Sequence, residues 1–187
     1  MAKNKLDRRV VKTKSSIRKA FCQLIKQKEF SSITITEIAG LADIDRKTFY
    51  LHYSTVEDIL REMENELAEK VSWLLEKNER INISTFFKGL NDILTEDMEL
   101  YRRFAEATSY SFFLKRCKNI LKASIIRSLY PKSNLPLASF QVYAEYISSG
   151  IISIYTDWLS SNRPMTLDEL TEIAEDAVYH GWEKIMG

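Results

Sequence analysis

Apolar residues recur along this chain with the spacing of α-helices. Between Lys14 and Lys28 they fall at i, i+3, i+4, i+7 and i+8, which predicts a helix with one buried face. The three prolines lie between predicted helices, where they disturb no helical hydrogen bond. Similar patterns predict further helices over 84–95, 98–108, 110–130, 138–160 and 167–186. The pattern therefore predicts an all-α protein.

Two short helices with separate start signals are predicted between Thr34 and Tyr53. Thr34 and Glu37 have the spacing of a capping box, and Asp45 can cap the second helix. Asp43 stands between them and tolerates the left-handed backbone of a sharp corner. We therefore predict a helix-turn-helix whose second helix presents polar side chains outward. An ordinary helical corner with solvated charges is the alternative interpretation.

Positive charge is concentrated in the same part of the chain. Residues 1–54 contain 12 Lys and Arg against 5 Asp and Glu, whereas residues 55–187 contain 15 against 21. A basic N-terminal region beside an acidic remainder places the positive field where phosphate binding requires it. Basic arms are also common as solubilising tails. The basic residues around the predicted start of the first helix are Lys3, Lys5, Arg8, Arg9, Lys12 and Lys14.

Other classes of protein are disfavoured by what the sequence lacks. It has no apolar run of membrane-spanning length and no signal-peptide pattern at its N-terminus. Cys22, Cys117, His52 and His180 are dispersed without metal-ligand spacing, and no enzyme signature occurs. We expect a cytoplasmic protein with no membrane, metal or cofactor that is not an enzyme.

A fixed order of residues runs through the predicted helix-turn-helix: Thr34, Ile38-Ala39, a tight turn, Thr48-Phe49-Tyr50 and His52-Tyr53. In this order, the stretch from about Thr13 to Leu60 resembles the DNA-binding region of TetR-family (tetracycline-repressor-like) transcriptional regulators. Asp43 and Lys47 stand where the family often has Gly, and Val56 replaces a frequent Lys, which removes one usual phosphate contact.

The residue types suggest separate roles at DNA. Hydroxyl groups at a helix N-terminus suit phosphate oxygens, while Arg46 and Lys47 suit guanine or, alternatively, phosphate. Thr48 suits a thymine methyl group, and the resemblance implies that Tyr50 and His52 contact the backbone. The predicted DNA-binding residues are Thr34, Thr36, Arg46, Lys47, Thr48, Tyr50 and His52.

A long helix from Ser54 or Thr55 to about Glu79 is predicted to join two domains. We assign residues 1–54 to a three-helix DNA-binding domain with a basic arm, and 55–187 to a helical ligand-binding and dimerisation domain. The resemblance implies a homodimer on a pseudo-palindromic operator in double-stranded DNA. The apolar stripes of the last two helices are its candidate interface, or else ordinary core. The interface candidates are Gly150, Ile154, Trp158, Leu170, Ile173, Ala177 and Trp182.

Aromatic residues are concentrated in the C-terminal part, where 15 of the 21 fall within residues 84–187. Aromatic residues are usually core, but seven of these are tyrosines, whose buried hydroxyls need partners. We therefore predict a repressor released by a small, mostly apolar ligand. The alternatives are control by a protein partner, or a DNA-bound structural or cell-division factor. The pocket candidates are Tyr101, Phe104, Tyr110, Phe113, Cys117, Tyr143 and Tyr146.

Overall fold

A computed structural model describes residues 2–76, 82–107, 110–162 and 165–186, with side chains over 8–75, 82–107, 110–162 and 165–179. The described residues contain helices and no strand, so the all-α prediction is confirmed. Two short 3-10 helices, Phe30–Ser32 and Tyr130–Lys132, lie between the longer helices. The α-helices are α1 (Ala2–Gln27), α2 (Ile35–Leu41), α3 (Arg46–Tyr50), α4 (Val56–Glu76), α5 (Ile83–Glu96), α6 (Met98–Glu106), α7 (Ser111–Leu129), α8 (Leu137–Ser160) and α9 (Leu167–Met186).

The first helix is longer than its apolar pattern predicts. α1 begins at Ala2, so the start predicted at Lys14 is wrong. The basic stretch that precedes Lys14 is helical too. The apolar stripe marks only the part of the helix that is buried, whereas Lys and Arg form helix well without burial. The predicted ends of two other helices, Glu79 and Thr108, lie outside the described residues. α9 has the predicted bounds.

The start signals form as their spacing predicts. Thr34 accepts a hydrogen bond from the Glu37 N–H (3.3 Å), while the Glu37 carboxylate accepts one from the Thr34 N–H (3.0 Å). The Asp45 carboxylate accepts a hydrogen bond from the Thr48 N–H (2.6 Å). Asp43, with φ of 55°, is the one non-glycine residue in the described part that has positive φ. The helix-turn-helix corner is therefore fixed by contacts within a few residues.

The long helix α4 is capped by Thr55 rather than Ser54. The Thr55 hydroxyl accepts from the Asp58 N–H (3.3 Å), and the Asp58 carboxylate accepts from the backbone N–H groups of Thr55 (2.8 Å) and Ser54 (2.9 Å). α9 has a capping box of its own, in which Thr166 and Glu169 exchange hydrogen bonds. Its Thr-x-x-Glu spacing was a usable sequence signal.

The chain forms two compact units, Met1–Met63 and Glu64–Gly187. The unit boundary lies inside α4, beyond the domain boundary placed at residue 54 from the sequence. The first unit surrounds a small core that includes Ile59 and Leu60 of α4. Its other fully buried apolar residues are Ile17, Phe21, Ile25, Ile38 and Phe49.

The second unit is built around α8, whose inner face is buried along most of its length. α8 packs against α6, α7 and α9, and α5 packs against α9. Phe87 of α5 stacks on Tyr155 of α8 with ring centroids 6.4 Å apart. Residues of α8 in this core are Phe140, Ala144, Ile147, Ile151, Tyr155, Trp158 and Leu159.

Candidate DNA-binding surface and apolar cavity

The short helix α3 presents a polar outer surface because one aromatic residue anchors its inner side. Phe49 is fully buried, and its ring contacts those of Tyr50 (centroids 5.9 Å apart) and Tyr53 (5.8 Å). Arg46 and Lys47 are exposed, and Tyr50 remains 49% exposed. These cations and the Tyr50 hydroxyl are therefore accessible to a ligand outside the unit.

The remaining predicted DNA-binding residues differ in how accessible their polar groups are. Thr36 is exposed, and Thr48 and His52 are half-buried. The Thr34 hydroxyl already donates to the Glu37 carboxylate (2.7 Å) as part of its cap. Thr34 therefore has a structural role at the start of α2. A phosphate contact would have to use the same hydroxyl group as this cap.

The segment after α3 is held by α1 and α4. Lys14 of α1 lies over the Tyr53 ring, 5.2 Å from its centroid, and 2.8 Å from the Glu62 carboxylate. Tyr53 is buried, in agreement with its interpretation as a core aromatic residue. These contacts fix the chain just beyond Tyr50 and His52.

The C-terminal unit contains an apolar cavity of about 100 Å³. Its walls come from five helices, and none of its lining residues is charged. The lining residues are Leu67 and Val71 of α4, Leu90, Ile93 and Leu94 of α5, Tyr101 of α6, Phe113, Leu114, Cys117, Ile120 and Leu121 of α7, and Ile151, Ile152, Tyr155, Thr156 and Leu159 of α8.

Three of the seven pocket candidates, Tyr101, Phe113 and Cys117, line this cavity. Phe104 and Tyr110 lie behind the wall: the Phe104 ring centroid is 4.1 Å from that of Phe113 and 5.2 Å from that of Tyr110. They therefore support the cavity wall without lining it.

Tyr143 and Tyr146, the remaining candidates, are outside the cavity, and Tyr146 is 72% exposed. Tyr146 lies about two and a half helical turns before Tyr155, so it occupies the opposite face of α8. Tyr155 and Thr156 line the cavity instead. Aromatic content alone could not identify the inward face of α8.

The polar groups in the cavity wall are largely engaged elsewhere or uncharged. The Tyr155 hydroxyl donates to the Asn91 side-chain oxygen (2.9 Å), and the Asn91 amide donates to Thr171 (2.7 Å). Burial raises the pKa of Tyr155, and it raises the pKa of Cys117 to about 12. Both groups are therefore neutral at physiological pH. The cavity provides an apolar environment without charge.

Four interface candidates lie on an outward-facing surface formed by α8 and α9. Gly150, Ile154 and Ala177 line a groove of about 400 Å³, and Ile173 is 58% exposed nearby on α9. We call this surface the α8–α9 face. It leaves apolar side chains uncovered within the subunit.

Two other candidates belong to the core of the unit. Trp158 and Leu170 are buried, and the Trp158 indole donates to the Met165 carbonyl (2.9 Å). Trp158 and Leu170 therefore belong to the intramolecular core, which was the alternative interpretation of these stripes. The side chain of Trp182 lies outside the described residues.

The described residues contain no group of His, Cys, Asp and Glu side chains arranged to hold a metal ion. Within the same ranges, no helix has the length and apolar character needed to cross a membrane.

Residues 81–180 match the TetR_C_8 family (transcriptional regulator C-terminal region), which is more than half of the chain. The chain belongs to the TetR family of transcriptional regulators. Members of this family are DNA-binding regulators without enzymatic activity, so the predictions of family and of a non-enzymatic regulator are confirmed.

Individual relatives agree with this membership. A stretch of 59 residues is 41% identical to the HTH-type transcriptional regulator YxbF of Bacillus subtilis (strain 168), covering 31% of this chain and only 16% of that protein. The TetR transcriptional regulator from Streptococcus agalactiae 2603V has the same fold (TM-score 0.67, 22% identity, 95% of this chain and 99% of that one). So does NalD from Pseudomonas aeruginosa, the secondary repressor of the MexAB-OprM multidrug efflux pump (TM-score 0.66, 17% identity, 91% and 95%).

Proposed function

We propose that this TetR-type regulator is a cytoplasmic repressor that binds a pseudo-palindromic operator as a homodimer and is released by a small, uncharged, apolar molecule. The observation that carries the proposal is the combination of an exposed, cationic α3 in one unit with an apolar cavity in the other. A cavity favours a small-molecule sensor over a regulator controlled by a protein partner or a structural DNA-binding protein.

At the operator, α3 is the recognition helix. Arg46 and Lys47 reach base edges in the major groove, and each base contact contributes about 1–3 kcal/mol of discrimination. Thr48 contacts a thymine methyl group. Thr36, Tyr50 and His52 contact phosphates. Thr34 contacts a phosphate as well, as far as its role in the cap of α2 leaves its hydroxyl group accessible. The Asp45 carboxylate caps α3, and hydrogen bonds from Thr48 keep its pKa below the ordinary range.

The homodimer places one recognition helix on each half-site. Its interface is the α8–α9 face, where Gly150 and Ala177 permit close helix approach and Ile154 and Ile173 supply apolar area. A two-fold dimer requires half-sites about one helical turn apart, or slightly more.

The effector occupies the cavity in the C-terminal unit. A full switch between DNA-bound and released populations needs a preference on the order of 5 kcal/mol. Very small ligands gain at most about 1.5 kcal/mol per non-hydrogen atom, so about four enclosed atoms are sufficient at this ceiling. A cavity of about 100 Å³ is near that size, because an engineered cavity of about 150 Å³ holds benzene.

The helix α4 carries the response. Leu67 and Val71 of α4 line the cavity, and the same helix begins at Val56, shortly after the segment containing Tyr50 and His52. A ligand that displaces α4 at the cavity changes the separation of the two recognition helices in the dimer.

The experiment begins with selection of a binding site from random duplex DNA by the full-length protein. Arg46→Ala should then weaken binding to the selected duplex far more than to a scrambled one, whereas Tyr50→Phe should weaken both alike. Lys88→Ala, an exposed cation of the other unit, is the control and should change neither affinity. If Arg46→Ala left operator affinity and sequence preference intact, the recognition-helix assignment would be wrong.

A further inference from the structure

The helix α8 separates the apolar cavity from the α8–α9 face. Ile152, Tyr155 and Thr156 line the cavity, whereas Gly150 and Ile154 line the groove on the outer surface. The proposed effector site and the proposed dimer interface therefore lie on two sides of the same helix.

Ile151 belongs to both linings. It is the one described residue that lines the cavity and the groove together, and it is only 3% exposed. An isoleucine in a helix has one strongly preferred χ1 rotamer, so a constraint on its side chain is passed to the backbone instead of being absorbed by rotation. A change in the packing of Ile151 on the cavity side therefore reaches the turn of α8 that carries Gly150 and Ile154.

A chain of hydrogen bonds holds the neighbouring helices in place beside Ile151. One turn later on α8, the Tyr155 hydroxyl donates to the side-chain oxygen of Asn91 on α5 (2.9 Å). The Asn91 amide donates to the Thr171 hydroxyl on α9 (2.7 Å), which in turn donates to the Leu167 carbonyl (2.7 Å). Tyr155 and Thr171 are buried, so separating these helices would leave buried polar groups without partners. A ligand in the cavity therefore acts on the packing of Ile151 rather than on the spacing of α8 and α9.

We propose that occupancy of the cavity and dimerisation are coupled through Ile151, and that the effector tightens the dimer. Without an effector, Ile151 has no packing partner across the cavity, since a void offers no atoms for contact. A ligand supplies these partners and orders this turn of α8 before a second copy of the chain packs on it. A surface that is already ordered loses less conformational freedom on association, so the two binding events favour each other.

The coupling determines in which state the regulator leaves its operator. An effector that tightens the dimer releases DNA from an intact dimer, and not by splitting it into monomers. Because coupling between binding sites is reciprocal, the dimer also binds the effector more tightly than the monomer does. The inference rests on the cavity and the homodimer of the proposed function, and it adds a linkage between them that requires no DNA.

The test measures the dimer dissociation constant of the full-length protein by sedimentation equilibrium, in buffer without toluene and in buffer saturated with it. A coupling of about fivefold per cavity, at the lower end for allosteric pairs, should lower this constant about 25-fold, because a dimer contains two cavities. Ala177→Arg places a charge in the groove and favours the monomer. By calorimetric titration, this variant should bind toluene about fivefold more weakly than the wild-type dimer.

Three variants with the same Ile→Val change locate the coupling. Ile151→Val shortens the residue that lines both sites and should remove most of the toluene effect on the dimer. Ile120→Val lies in the cavity wall only, so it should change the affinity for toluene but keep the effect at saturation. Ile154→Val lies in the groove only, so it should change dimerisation without toluene but keep the effect of toluene. Circular dichroism verifies that each variant is folded.

The outcomes separate this inference from the proposed function. If toluene binds the wild-type dimer but leaves its dissociation constant unchanged or raises it, the coupling is overturned while the cavity and the homodimer are retained. If Ile151→Val keeps the full toluene effect, or all three variants lose it equally, the assignment to Ile151 is overturned. A monomeric wild type overturns the homodimer proposal, and a dimer that binds no toluene overturns the cavity proposal. Either of these two results overturns the coupling as well.

Discussion

Arg116 of α7 clamps Glu64 of α4, with its Nη1 atom 3.1 and 3.2 Å from the two carboxylate oxygens. The Glu64 side chain is only 10% exposed, so Arg116 supplies the counter-charge to a largely buried carboxylate. Farther along the same two helices, Ser72 bonds to Ser124 (3.1 Å) and accepts from Arg127. The cavity residues Leu67 and Val71 lie between these two polar contacts on α4. Polar contacts on either side of the cavity residues thus join α4 to α7.

Removing one partner of the pair should destabilise the protein more than removing both. Arg116→Met leaves a buried carboxylate without its counter-charge and should lower the free energy of unfolding by about 2–3 kcal/mol, because Arg116 is itself partly exposed. Glu64→Leu combined with Arg116→Met should recover most of that loss. Urea denaturation of the wild type, the single variant and the double variant measures these free energies of unfolding. A double variant no more stable than Arg116→Met would contradict the interpretation.

Filling the cavity should abolish its capacity for apolar ligands. Toluene should raise the melting temperature of the wild type, because a ligand bound only by the folded state stabilises it. Ile120→Phe places a larger side chain in the cavity and should remove this increase. Ile126→Phe is the matched control on the same helix, outside the cavity, and should keep it. An undiminished toluene effect in Ile120→Phe would show that the ligand binds elsewhere.

The two cysteines should react at very different rates with a thiol reagent. Burial raises the pKa of Cys117 to about 12, so almost no thiolate exists at pH 8, whereas Cys22 is only half-buried. We expect one fast thiol in the native protein and two in guanidinium chloride, measured with Ellman's reagent. Cys22→Ala should eliminate the fast reaction. Rapid labelling of native Cys117 would indicate frequent opening of the cavity wall.

A charge on the α8–α9 face should separate the proposed dimer. Ala177 is exposed and lines the groove, so Ala177→Arg would place a charge in an apolar interface. We expect a monomer that binds the operator poorly, whereas Ala177→Ser should remain dimeric. Analytical ultracentrifugation at micromolar concentration distinguishes the two states. A monomeric wild type under these conditions would rule out the proposed homodimer.

The cap of α2 should make stability depend on pH in the acid range. The Lys28 ammonium, 2.6 Å away, and hydrogen bonds from Thr34 lower the pKa of Glu37 from 4.5 to about 2. A lowered folded pKa means that this stabilisation is complete above pH 4.5 and is lost as the pH falls through about 2.

Glu37→Gln should therefore flatten the fall in stability over this range, and Lys28→Met should flatten it in part. Thermal melts between pH 5 and pH 2 provide the measurement. Identical pH profiles for the wild type and Glu37→Gln would show that the carboxylate does not stabilise the fold.

The sequence by itself determined the helix-turn-helix because its signals are local. The cap between Thr34 and Glu37, the cap of Asp45 on Thr48 and the left-handed Asp43 each involve residues at most three positions apart. Such contacts form with little dependence on the rest of the chain. The same locality explains why the bounds of α9 agree with the apolar pattern.

Only the tertiary structure decided which apolar and aromatic residues share a surface. Trp158 and Ile154 lie four residues apart on α8, yet Trp158 is buried against the Met165 carbonyl and Ile154 lines the outer groove. Tyr155 lines the cavity while Tyr146 is exposed, since the packing of α8 against α6, α7 and α9 selects the inward face. A hydrophobic pattern indicates that a side chain is removed from water. Which elements cover that side chain is determined only when distant helices pack together.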